Sequence, residues 1–199
     1  MTLYFIRHAD KEKGDYRSSK LPHLDQPISK YGKRQAKVLY NYFRNKQIDE
    51  IYVSEYIRTE QTIRAITKRR KIIPITDGRL NEIDLGDLIG LTDEQFQNKF
   101  PDIWKAHQER NIDFRWPGGE TGAEAQDRIV SFLAEQTNHP GDKLIVAHDG
   151  IIRLLLCYLL NIPVYRRFEF QIGTAGIMEI EWDKDHQVWR IIRFNQELI

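Results

Sequence analysis

The sequence predicts an α/β fold: a three-layer αβα sandwich with a mostly parallel central sheet, an antiparallel edge and a small helical cap insertion. Three observations carry this. Short apolar runs alternate with stretches of helical periodicity from residue 2 to about 160, the pattern of strand–helix–strand units around a parallel sheet. Two alternating strands then close the chain around Asp183-Lys184-Asp185, a hairpin turn that supplies the antiparallel edge. Between them, residues 84–118 hold short helices and no strong sheet signal, which suits an insertion above the strand ends.

Taken in order, Leu3-Tyr4-Phe5-Ile6 makes residues 2–7 a buried strand. After a polar loop, residues 29–46 form a helix with Ala36, Leu39, Tyr40 and Phe43 on one face. Residues 48–53 are the second strand. The helix at 55–70 buries Thr59, Ile63 and Ile66, and Arg64, Lys68, Arg69 and Lys71 near its end complement the helix dipole. Residues 72–75 read as a short third strand broken by Pro74. Thr92-x-x-Gln95 is a capping pattern, and Thr121-x-x-Glu124 another, opening a helix with Ala125, Ile129, Phe132 and Leu133 on one face. Strand 143–147, the apolar helix 150–160 and strands 176–182 and 187–194 complete the chain. With no repeat, linker or low-complexity segment, residues 1–199 are expected to form one unit carrying the cap at about 84–118.

The bulk properties exclude several classes. The 199 residues are 41% apolar and 30% charged, too apolar for a disordered chain. A net charge of +1 lends no support to a nucleic-acid partner or a membrane surface. Cys157 stands alone, which rules out a disulfide framework and a thiolate metal cluster and reads as a small buried hydrophobe in a reducing compartment. The first residues lack the features of a secretory leader, and the longest apolar stretch, 151–160, carries Arg153 and is too short to span a bilayer. A soluble, cytoplasmic protein is expected.

Chemistry collects at the strand exits. Arg7-His8 follows the first strand, His148 follows the run Leu144-Ile145-Val146-Ala147, and the second strand leads through Ser54 to Arg58. In open α/β sheets the site lies at the carboxyl ends of the strands, so these groups can converge from distant positions. One strand-end histidine is more often a hydrogen-bonded core residue; two with two arginines are a site. Neutral imidazole is a nucleophile, and the guanidinium fork grips phosphate oxygens in pairs. Arg7, Arg58 and His148 are therefore expected to cradle a phosphate that His8 attacks, although spacing alone leaves open which histidine is the nucleophile. Lys11, Lys13, Arg17, Lys20 and His23 either attract an anionic substrate or simply solvate a loop. Trp104, His107 and Trp116 are expected to pack the cap.

Arg7-His8-Ala9 resembles the Arg-His-Gly signature of the histidine phosphatase superfamily, in its phosphoglycerate mutase-like branch. The likeness extends in order through Asp25-x-Pro27-Ile28-Ser29-x-x-Gly32-x-x-Gln35-Ala36, Ser54-x-x-x-Arg58-Thr59-x-Gln61-Thr62, Leu80-Asn81-Glu82-Ile83-x-x-Gly86, Pro117-Gly118-Gly119-Glu120-Thr121 and Ala147-His148-x-Gly150-x-Ile152-Arg153. The resemblance implies that His8 becomes phosphorylated, that Arg7, Arg58 and His148 bind the phosphate, and that Glu82 protonates the leaving oxygen and then activates water. From sequence alone Glu82 is only an acidic loop residue. The resemblance also implies no metal and no cofactor.

Three departures stand out. Ala9 replaces the signature glycine. Gly14 stands where the mutases carry an asparagine, so that phosphate contact is missing. Asp149 follows His148 where glycine is common; its side chain either caps the next helix, the preferred reading, or raises the pKa of His148. The expected function is hydrolysis of a small phosphorylated metabolite through a phosphohistidine on His8, by a monomer or homodimer. The alternatives are phosphoglycerate mutase activity and a non-catalytic phospho-ligand module; the acid Glu82 argues against the latter, since binding alone does not require one.

Overall fold

The computed structural model describes residues 1–198. Six strands form one sheet in the order β3-β2-β4-β1-β5-β6. β1 (Thr2–Arg7), β2 (Glu50–Val53), β3 (Ile75–Thr76) and β4 (Lys143–Ala147) run parallel, and β5 (Ile177–Asp183) and β6 (Val188–Gln196) add the antiparallel edge. The sheet is therefore mixed as expected.

Strand alternation sends Tyr4, Ile6, Ile51, Val53 and Val146 to one face, where they meet helices α1 (Lys30–Phe43) and α2 (Ile57–Arg70) through Leu39, Phe43, Ile63 and Ile66. Leu3, Phe5, Ile145 and Met178 point the other way, against α5 (Gly122–Gln136) and α6 (Asp149–Leu159). Ile151, Ile152, Leu154 and Leu155 of α6 are fully buried. At about 1.5–3 kcal/mol for each such side chain, this burial outweighs the ~0–1 kcal/mol of an exposed ion pair. The apolar face thus fixes α6, and with it the position of His148 at its N-terminus.

The expected capping boxes form at Thr92/Gln95 and Thr121/Glu124, opening α3 (Asp93–Lys99) and α5, and Ser29 accepts from the Gly32 N–H to start α1. α4 (Pro101–Glu109) follows α3 with proline in its first turn. The third strand differs from expectation: it is Ile75–Thr76, not residues 72–75. The Ile72 N–H still closes the end of α2 on the Thr67 carbonyl, and Pro74 has no N–H to give a ladder, so pairing with β2 begins only after it. Asp149 does not cap α6. It is the first helical residue, no side-chain cap is present, and its carboxylate instead pairs with Arg153 at 2.8 Å.

Candidate active site

Register decides which side chains meet. β1 and β4 are neighbours with Arg7 opposite Ala147, so His8 and His148 emerge side by side, ring centroids 5.2 Å apart and edge to face. The His8 N–H donates to the Ala147 carbonyl at 3.0 Å. On the other side of β4, Val53 opposes Val146, which delivers Ser54 to His148 and starts α2 so that Arg58 turns inward.

A cleft of about 330 Å³ opens at these strand ends, lined by Arg7, His8, Lys11, Arg58 and Glu82 together with Leu88 and Ile89. His8 is buried, and its Nδ1 lies 2.8 Å from the Ala9 carbonyl. A carbonyl only accepts, so Nδ1 carries the proton and Nε2 keeps its lone pair. Burial, and then the nearby charge of Arg58, hold the His8 pKa well below the ordinary 6.5 despite the opposing Ala9 carbonyl, so the ring is neutral at pH 7.

The arginines are anchored at one end and free at another. Arg7 Nη1 donates to the Ile172 carbonyl at 2.6 Å and lies 3.9 Å from Asp149, while its Nε is buried without a partner. Arg58 donates through Nη1 to the Leu24 carbonyl at 3.2 Å and through Nη2 to His148 Nδ1 at 3.2 Å, packs 4.2 Å over the Tyr56 ring, and likewise leaves Nε unpaired. Burial lowers the Arg58 pKa, opposed by Glu82.

His148 is the residue whose placement departs most from expectation. It is fully buried, and both ring nitrogens are engaged: Nδ1 accepts from Arg58 and Nε2 donates to Ser54 Oγ at 2.8 Å. Its pKa falls well below 6.5 through burial and then Arg58, so Asp149 does not raise it. His148 stands behind the cleft, holding Arg58, and does not line it.

Glu82 faces His8 across the cleft from a loop. Its Oε1 accepts from the Ile83 N–H at 3.0 Å and its Oε2 from the Gly150 N–H at 3.5 Å. A Cβ at Gly150 would stand 2.7 Å from Glu82 Oε1 and 2.6 Å from Ile83 Cδ1, so a larger residue there would push aside the ends of these two side chains. Arg128 of α5 donates to the carbonyls of Arg79, Asn81 and Glu82 at 2.7, 2.7 and 3.2 Å and pairs with Glu120 at 2.6 Å; Glu120 also accepts from the Asp84 N–H. Sequence reading missed Arg128. Its available signal was Glu120, the acid inside the Pro-Gly-Gly-Glu-Thr block, which needed a cationic partner.

Other residues of the matching blocks turn out to be scaffolding. Thr62 Oγ1 accepts from the Ala9 N–H at 2.9 Å, Gln35 from the Asp10 N–H at 2.8 Å, Gln61 from the Ile28 N–H at 2.8 Å, and Asp25 from the Ile57 N–H at 2.8 Å. Of the basic loop, Lys11 and His23 line the cleft, and His23 Nε2 reaches the Ile83 carbonyl at 2.6 Å, tying this loop to that of Glu82. Lys13, Arg17 and Lys20 are exposed and stand outside the cleft lining, as does Gly14. Gln26, buried with Oε1 unpaired, also lines the cleft and was not anticipated. Trp104, His107 and Trp116 pack with Phe96 and Phe114.

Comparison with known proteins identifies the family. The model of the histidine phosphatase superfamily (branch 1) matches residues 3–197. The chain belongs to the histidine phosphatase superfamily. Phosphoserine phosphatase 1 of Hydrogenobacter thermophilus is 28% identical over 198 residues, covering 97% of this chain and 91% of that protein. Phosphoglycerate mutase-like protein 4 of Arabidopsis thaliana is 30% identical over 175 residues, covering 84% and 75%. Among solved structures, mycobacterial glucosyl-3-phosphoglycerate phosphatase superposes with a TM-score of 0.82 at 25% identity, covering 98% of this chain and 99% of that one. As a member of this superfamily the chain has the α/β fold of these phosphatases. Among the described residues no helix is long and apolar enough to cross a membrane.

Proposed function

We propose that this chain hydrolyses phosphomonoesters of small metabolites through a phosphohistidine on His8. The observation that carries the reading is the state of His8: a neutral ring with its Nδ1 proton held by the Ala9 carbonyl, in the same cleft as the two arginines Arg7 and Arg58. His8 Nε2 attacks phosphorus, the ester P–O bond breaks, and Glu82, entering as the acid, gives its proton to the departing alkoxide. Water then attacks the phosphohistidine, Glu82 takes its proton back, and the N–P bond breaks to release inorganic phosphate and neutral His8. Arg7 and Arg58 grip the equatorial oxygens, where charge builds up. His148 acts mainly by holding Arg58, and donates to phosphate only by exchanging one of its present partners.

The names of the relatives, a phosphoserine phosphatase and a glucosyl-3-phosphoglycerate phosphatase, support a small phosphorylated substrate. The lone Cys157 suits a reducing compartment, and on this reading the chain acts in the cytoplasm; it works as a monomer or a homodimer. The inserted segment at about 84–118 serves as a cap, since Leu85, Leu88, Ile89 and Gly90 line the cleft. The reading includes no metal and no cofactor. Turnover of sugar phosphates, phosphoglycerates, nucleotides and phosphoserine should release inorganic phosphate from at least one of them, with or without a strong chelator. Conversion of 3-phosphoglycerate to 2-phosphoglycerate without free phosphate would overturn the reading in favour of a mutase. Binding with no turnover of any ester would leave a non-catalytic module.

A further inference from the structure

The phosphate cleft holds a cation that the two-arginine grip does not use. Lys11 lines it beside Arg7, His8, Arg58 and Glu82, whereas Lys13, Arg17 and Lys20 of the same loop stand outside its lining. The difference begins in the backbone. The Asp10 carbonyl accepts from the Ser29 N–H at 2.8 Å, the Glu12 N–H donates to the Pro27 carbonyl at 2.8 Å, and Lys11 pairs with Ile28 as an antiparallel bridge between them. A Cβ at Gly32 would stand 2.1 Å from the Asp10 carbonyl oxygen, so glycine there is what admits this close approach of α1. Side chains alternate along extended backbone, so Lys11 points away from its two acidic neighbours. Asp10 is turned toward Ser29, whose Oγ donates to its carboxylate, and Lys11 is turned into the cleft.

The ammonium is uncommitted: among the described residues Lys11 makes no ion pair. Partial desolvation, and then the charge of Arg58, lower its pKa, opposed by Glu82. Its charge in turn helps to hold both His8 and His148 neutral, so the ammonium stands near both rings. The residue as a whole is exposed, which lets it meet a ligand entering from solvent. Arg7 and Arg58, by contrast, are each tied to a backbone carbonyl. Three cations gathered about one carboxylate repel one another, and a bound anion relieves that repulsion. A phosphomonoester brings such an anion, with three equatorial oxygens to satisfy during transfer. Two anchored guanidinium groups and an ammonium on a flexible stem match that demand.

From this arrangement we propose that Lys11 is a third cationic ligand of the phosphoryl group, donating to an equatorial oxygen both in the bound ester and in the phosphohistidine on His8. The proposal rests on the phosphatase reading of the cleft and adds a residue to its machinery. It separates Lys11 from the other cations of its loop, which act on an anion only through the general field.

Binding of inorganic phosphate tests this without turnover. By calorimetry at fixed ionic strength, Lys11→Met should bind phosphate about tenfold or more weakly than wild type, the loss of one charge-assisted hydrogen bond. Lys11→Arg, which keeps a cation with donors, should recover most of that loss. Lys13→Met and Lys20→Met remove the same charge outside the cleft lining and should change the affinity by about twofold or less. In turnover, Lys11→Met should lower kcat/KM about equally for alkyl and 4-nitrophenyl phosphates, because the contact is to the phosphoryl group and not to the leaving oxygen. Phosphate affinity unchanged in Lys11→Met, or lowered no more than in Lys13→Met, would overturn the proposal and leave Lys11 a loop charge. So would a wild-type protein that binds no phosphate. Weakened phosphate binding in Lys11→Met, with no ester hydrolysed by wild type, would keep the contact and sink the phosphatase reading alone. Hydrolysis by wild type, with affinity and kcat/KM both retained in Lys11→Met, would do the reverse.

Discussion

In one region of the molecule, Arg7, His8 and His148 leave adjacent strands in fixed register and Arg58 begins a helix that follows a third; in the other, Glu82 hangs in a loop that follows a short 3₁₀ turn. The first side is positioned by the sheet itself, with the backbone carbonyls of Ala9, Ile172 and Leu24 as fixed acceptors. The second is held by one arginine, Arg128, and Gly150 leaves room for the end of the Glu82 side chain. The difference teaches that the proposed nucleophile and phosphate grip are placed by fold topology, while the proposed acid is held by a few replaceable tertiary contacts.

The sharpest way to break that comparison is Glu82→Gln. An alkyl phosphate leaves as a poor alkoxide and should slow by on the order of a thousandfold, whereas 4-nitrophenyl phosphate, with an acidic leaving group, should lose far less. Equal losses in the two rates would make Glu82 a binding group and open the role of acid to Asp10 or Asp149.

Arg58→Ala removes the proposed phosphate clamp and the donor to His148 together. We expect a cost on the order of 3 kcal/mol in kcat/KM, more than a hundredfold, for every ester regardless of leaving group. A near-wild-type kcat/KM would place Arg58 outside the machinery.

Arg128→Met tests whether the loop side is held as described. The acid should be loosened without being lost, so kcat for alkyl esters should fall about tenfold while 4-nitrophenyl phosphate is spared, the same asymmetry as Glu82→Gln on a smaller scale. A uniform fall across esters, tracking a lowered Tm, would reduce Arg128 to general stability.

The smallest effect concerns the strand side and acid. His8 and His148 both have folded pKa values below the ordinary 6.5. Between those values and 6.5 the unfolded chain binds more protons than the folded one, so stability is fully present above 6.5 and falls as pH drops. Each ring contributes at most about 1.4 kcal/mol per pH unit. Urea midpoints at pH 7, 6 and 5 should therefore decline less steeply in His148→Gln than in wild type; an unchanged slope would mean that His148 is not buried neutral.

How much was legible in the sequence follows the same division. The strand exits were readable because apolar runs end abruptly on Arg7-His8, Ser54 and His148, and the parallel pairing converts those positions into neighbours. The capping boxes at Thr92 and Thr121 were readable because the pattern is local. The fate of Asp149 was not, because an ion pair with Arg153 one helical turn on competes with capping, and the outcome depends on which residue becomes the cap; His148 does. The anchoring role of His148 was equally hidden, since its partners Ser54 and Arg58 lie 94 and 90 residues away. The role of Arg128 arises from contacts between α5 and the carbonyls of Arg79, Asn81 and Glu82, which no periodicity announces.

The central claim is that His8 is the nucleophile, and trapping the covalent intermediate tests it most directly. Wild-type protein mixed with a ³²P-labelled ester that it hydrolyses, quenched in alkali within the first turnovers and digested, should carry acid-labile, alkali-stable label on the peptide containing His8. Label on the peptide containing His148, or turnover with no labelled histidine, would contradict the account.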